Sequence, residues 1–135
     1  MRFLINVGYV AVGAAIGGAL RYIATVFIQG RAGPAFPVAT LIINVTGSLL
    51  LGFLVAYLAE TSAVRPELGL LLTSGVCGGY TTFSTFSYET FALLRDGEYN
   101  RAAAYVLLSV GASLVAMFAG FAAAHGAIHL QRGGA

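Results

Sequence analysis

Four long apolar stretches, Phe3–Gln29, Val38–Ala59, Leu68–Leu94 and Ala102–Ala127, take up nearly all of this 135-residue chain. Each reaches the ~20 residues a helix needs to cross the hydrocarbon core of a bilayer. Only 9% of the residues are charged, against about 25% in a soluble domain. With no water at that depth, each spanning segment must satisfy its own backbone polar groups, which favours helices. The expected fold is all-α: one integral membrane domain over residues 1–135, with four transmembrane helices and no soluble catalytic module. The first stretch is too long for a signal peptide, lacks a typical cleavage site and contains Arg21, so it counts as a span. The single Cys77 excludes an internal disulfide and reads as a small packing residue.

The third stretch departs from the pattern of a plain membrane helix. Gly75-Val76-Cys77-Gly78-Gly79-Tyr80-Thr81-Thr82-Phe83-Ser84-Thr85-Phe86-Ser87-Tyr88-Glu89 holds three glycines, five hydroxyl residues and four aromatics. Glycine and clustered Ser/Thr destabilise or open a helix, because glycine is flexible and hydroxyls compete for backbone partners. Irregular backbone is tolerated in a membrane only where protein buries it or it lines a polar cavity. The third helix is therefore expected to be broken and to build a site.

Charge placement bears on orientation. All seven basic residues are Arg. Four spans put Arg2, Arg65 and Arg132 on one side, and Arg31, Arg95 and Arg101 on the other, with Arg21 if it reaches that surface. Orientation follows an excess of Lys and Arg on the cytoplasmic side. Without an excess the chain can insert both ways up, which suggests an antiparallel homodimer; the alternative is that a strong first helix sets a single orientation. Gly13 and Gly17 form a GxxxG pair suited to close packing in lipid. Arg21 lies roughly 12 Å inside the first span at the helical rise, where a charge must snorkel or face a water-filled vestibule. Gly30–Pro37, with two Gly and two Pro, is a chain breaker. Glu60–Glu67 and Asp96–Arg101 read as solvated turns, and the tail Gln131–Ala135 as frayed.

Two polar ladders follow helical spacing. Thr40, Asn44 and Ser48 share one face of the second helix, and Tyr105, Ser109 and Ser113 one face of the fourth. Either ladder alone fits a helix–helix hydrogen bond or a Ser bonding its own backbone. Both together, beside a broken helix, point to a shared aqueous or ion pathway. Cation pores use acidic rings or convergent carbonyls, and the only acid in the core stretches is Glu89, at the far end of the third. Hydroxyl and amide groups donate hydrogen bonds, and aromatic edges carry the positive part of the ring quadrupole. Phe83 and Phe86, three residues apart, can project to one side. This lining favours a small, strongly hydrated anion. A broken helix also frees carbonyls, so two copies meeting at an axis could hold one Na⁺ on Gly78 and Thr81. His125 and His129 have a spacing that could hold a metal, but no carboxylate or Cys accompanies them and they sit at the interface, so their placement reads as incidental. No phosphate-binding fingerprint or nucleic-acid-binding basic patch is present.

Gly17–Tyr22, Asn44-Val45-Thr46-Gly47-Ser48 and the Gly75–Glu89 run resemble the Fluc (CrcB-type) fluoride channels along essentially the whole chain. The resemblance implies a non-enzymatic, fluoride-selective passive channel exporting cytoplasmic fluoride across a bacterial-type inner membrane. It implies an antiparallel dual-topology homodimer with two pores, each built from both subunits. By motif match Phe83 and Phe86 would be the aromatic box and Asn44 the pore amide, with Thr82 and Ser84 beside them. Tyr105, Ser109 and Ser113 would form the polar track, Arg21 would belong to the vestibule, and Glu89 to the far end. Gly78 and Thr81 carbonyls would hold a structural Na⁺. One rival reading is a small proton-coupled exporter, which needs a carboxylate in the first helix that Phe3–Gln29 lacks. A second is a non-transporting assembly subunit, which would explain the glycines but not two hydroxyl ladders beside a broken helix.

Overall fold

A computed structural model of the chain describes residues 1–61 and 64–133. Every regular element among them is helical. Helix α1 (Arg2–Ala32) ends at Gly33, whose φ of 77° is open to glycine at little steric cost. Helix α2 (Val38–Glu60) starts after Pro37 and stops where Thr61 turns extended. Helix α3 (Pro66–Leu70) widens into a π-helical segment, π1 (Leu71–Cys77), followed by the single turn α4 (Gly78–Tyr80). Thr81 and Thr82 are extended, and α5 (Phe83–Arg95) begins anew. Its C-terminus closes in a Schellman arrangement: Glu98 N–H bonds Leu93 C=O and Gly97 N–H bonds Leu94 C=O, with Gly97 at φ 78°. Helix α6 (Tyr99–Gly133) includes the first three residues of the tail expected to fray. Part of that tail, and Ser62 and Ala63 of the turn before α3, lie outside the described residues.

Helices α1, α2 and α6 are each long and apolar enough to cross a membrane, with mean hydropathy 1.8, 2.2 and 2.1 over an 18-residue stretch of each. Their large apolar side chains, such as Ile23, Phe27, Leu114 and Phe118, point outward. An exterior this apolar marks contact with lipid or with another chain. With three helices of membrane-crossing length, the molecule is a multi-pass membrane protein whose described regular elements are all helical. The interior is built instead from small residues. On the α2–α6 seam, a Cβ at Gly120 would come within 2.9 Å of Phe53 N and one at Gly52 within 3.0 Å of Met117 Sδ. Ala56, Ala102, Ala116 and Ala124 are buried with them. Dispersion between closely approaching backbones replaces the hydrophobic effect as the driving force in lipid.

The same device joins α1 to the irregular third segment. Gly13 faces Gly75, so that a Cβ at either would lie 2.8 Å from the other's Cα. One turn on, a Cβ at Gly17 would meet Tyr80 N at 2.8 Å, and one at Gly79 would meet Ala14 Cα at 2.9 Å. The expected pair on α1 thus has a counterpart at the same spacing, Gly75 and Gly79. Those two glycines serve close approach rather than opening the chain. The opening comes two residues later, at Thr81 and Thr82.

Candidate ion pathway

Extended backbone inside a helical bundle leaves peptide groups without their i−4 partners. At Thr82 they are taken up by one side chain. The Thr82 N–H donates to Asn44 Oδ1 (2.8 Å), and Asn44 Nδ2 donates to the Thr82 carbonyl (3.1 Å). Just before the break, Arg21 Nε donates to the Gly79 carbonyl (3.1 Å). Thr82 then restarts the chain as the N-cap of α5, its Oγ1 accepting from Thr85 N–H at 3.3 Å. Ser84 Oγ lies 3.4 Å from the same hydroxyl, on the exposed side.

Beside the break is a cavity of about 260 Å³ between α2, α5 and α6. Asn44 and Ser48 line it from α2, Thr81 and Thr82 from the break, Phe83 and Phe86 from α5, and Ser109 and Ser113 from α6. The lining contains no ionised side chain. The hydroxyl oxygens of Ser109 and Ser113 are buried and have no hydrogen-bond partner among the described residues. A buried, partnerless hydroxyl costs about 1–3 kcal/mol, and both serines belong to the wall of this one cavity. The Asn44 amide has two N–H groups, of which one goes to Thr82, so a third donor is left over.

Next to the cavity, on the side of the α1–α2 loop, stands a hydrogen-bonded cluster. Tyr105 is fully buried, and its hydroxyl donates to Glu89 Oε2 at 2.6 Å. Thr40 Oγ1 donates to Glu89 Oε1 at 2.9 Å. The carboxylate is therefore held by two neutral donors from two other helices. Its other face opens on a second cavity of about 320 Å³, with Gln29, Tyr88 and Asp96 around it. The aromatic rings form a continuous column. Phe83 and Phe86 lie 5.6 Å apart between centroids, Phe86 and Tyr105 5.3 Å, and Tyr105 and Phe36 5.5 Å, the last edge-to-face at 85°.

Of the residues singled out in the sequence, Asn44, Thr82, Phe83, Phe86, Ser109 and Ser113 converge on one cavity, and Glu89 and Tyr105 on the adjoining cluster. Arg21 and Ser84 are not part of the cavity wall. Gln29 and Phe36 were not anticipated; a Gln next to a Gly–Pro loop and an aromatic beside a proline were the only signals available. His125 also differs from expectation. Its Nε2 is 2.7 Å from Glu60 Oε1, with Arg132 Nη1 3.8 Å from Oε2. The carboxylate missing from its sequence surroundings arrives from the end of α2.

Comparison with known proteins identifies the family. A family model described as CrcB-like protein, Camphor Resistance (CrcB), matches residues 8–121. A fluoride-specific ion channel FluC of Rhizobium meliloti (strain 1021) is 48% identical over 113 residues, 84% of this chain and 90% of its own length. A protein of the same name from Aquifex aeolicus (strain VF5) is 49% identical over 98 residues, covering 73% and 79%. One from Geobacter sulfurreducens is 47% identical over 115 residues, covering 85% and 93%. A family match over most of the chain, and relatives this similar along most of their own length, place the protein in the CrcB family, to which proteins named FluC belong.

Proposed function

We propose that the protein is a passive, fluoride-selective channel that relieves cells of cytoplasmic fluoride. The observation that carries this reading is the cavity beside Thr82, with two buried serine hydroxyls that lack a partner among the described residues and one spare amide N–H. Fluoride is small and strongly hydrated, and gives up its shell only where donors replace it. Ser109, Ser113 and Asn44 supply such donors, and the edges of Phe83 and Phe86 add positive quadrupole. Relatives named fluoride-specific ion channels point the same way.

In this reading α3, π1, α4 and α5 together make the third of four membrane crossings, broken at Thr81–Thr82. Phe83 is 79% exposed in the single subunit although it lines the cavity, which fits a pathway completed by a second, oppositely inserted copy. A structural Na⁺ fits the break: the Thr82 N–H that would normally bond the Gly78 carbonyl bonds Asn44 instead. The carbonyls of Gly78 and Thr81 would contribute to such an ion, which would supply positive charge tying two copies together. In a bacterial-type inner membrane, fluoride would leave down the electrical gradient, worth ~2.3 kcal/mol per 100 mV. Purified protein in liposomes should release fluoride and retain chloride, read with ion-selective electrodes. Equal release of both ions would remove the selective-channel reading.

A further inference from the structure

The loop Gly30–Pro37 carries one large apolar residue, Phe36, flanked by Ala35 and Pro37. It would be expected to turn into lipid or water, yet it is only partly exposed and stands edge-to-face on Tyr105. A single side chain holds it there. Gln29 Nε2 donates to the carbonyls of Gly33 and Phe36, the latter at 3.0 Å, and Gln29 Oε1 accepts from the Ala39 N–H at 3.1 Å. That N–H belongs to the first turn of α2 and has no helical partner of its own. Both polar atoms of the Gln29 amide are thus spent on the backbone of residues 33–39. On its far side the Tyr105 ring meets Phe86. One ring edge-to-face and one tilted ring thus pack on Tyr105 in the orientation in which its hydroxyl reaches Glu89.

Building on the channel reading, we infer that Phe36, clamped by Gln29, is a positioning residue of the pathway. It holds Tyr105, and through it Glu89, as the partition between the serine-lined cavity and the cavity beyond Glu89. Neither Phe36 nor Gln29 touches the serine-lined cavity, so their effect passes through Tyr105.

Wild-type fluoride efflux from liposomes is measured first; its absence would defeat the channel reading itself. Given efflux, Phe36→Ala and Gln29→Leu should each slow it about three- to tenfold, the range one edge-to-face aromatic pair supplies. Phe36→Tyr, which keeps the ring, should restore the wild-type rate. In a Tyr105→Ala background Phe36→Ala should change the rate no further, because coupled residues are non-additive. Should Phe36→Ala fail to fold, Phe36→Leu keeps the volume without the ring and is read in the same cycle. Wild-type efflux in the ring-lacking variant, or an additive loss with Tyr105→Ala, would overturn the inference.

Discussion

Asn44 does two things with one amide. Its oxygen and one N–H close the peptide of Thr82, and the other N–H remains at the cavity wall. Ser109 is the opposite case, a hydroxyl that is only 5% exposed and bonds nothing within the described residues. These two residues should separate in experiment. Ser109→Ala removes an orphan, so thermal stability in detergent should hold or rise while fluoride flux falls. Asn44→Leu orphans the Thr82 N–H and carbonyl, and should lose stability by about 1–3 kcal/mol as well as flux. A stability loss in Ser109→Ala would mean that its hydroxyl has a structural partner after all.

At the scale of elements, the decisive contact is glycine against glycine between α1 and π1–α4. Backbone cannot move aside as a side chain does, so a Cβ 2.8 Å from the opposing Cα has nowhere to go. Gly75→Val should separate the two elements and exceed the about 1–3 kcal/mol typical of overpacking. Size-exclusion chromatography in detergent should show loss of the monodisperse peak. Gly8→Ala is the matched control, since nothing lies within 4 Å of a Cβ there. An intact Gly75→Val protein would show that the two helices do not meet as tightly as this packing requires. The π-helical winding of Leu71–Cys77 belongs to the same contact, because both Gly75 and the carbonyl of Leu71 face Gly13.

For the whole molecule, both ends carry mixed charge. Glu60 draws in His125 and Arg132 at one end. At the other, Arg95 pairs with Asp96 and Arg101 with Glu98. These exposed pairs contribute little stability, about 0–1 kcal/mol each; what bears on orientation is that the arginines are divided almost evenly between the two ends. Adding three or four lysines to the N-terminus should therefore bias insertion toward one orientation, as read by cysteine accessibility from either side. Mixed insertion that persists unchanged would count against charge balance as the determinant.

Much of this protein was legible in its residues. Sparse charge and four apolar stretches chose lipid as the solvent, and lipid requires helices. The spacing of Thr40, Asn44 and Ser48, and of Tyr105, Ser109 and Ser113, already placed polar groups on single faces, because helical period is a local property. The composition of Gly75–Glu89 announced an irregular backbone. Which groups meet was not legible, since contact depends on how distant helices cross and slide. Only the tertiary structure joined Asn44 to the Thr82 peptide, Glu89 to Tyr105 and Thr40, and Gly75 to Gly13. It also decided that Ser109 and Ser113 have no partner among the described residues, while Asn44 and Tyr105 of the same two ladders do.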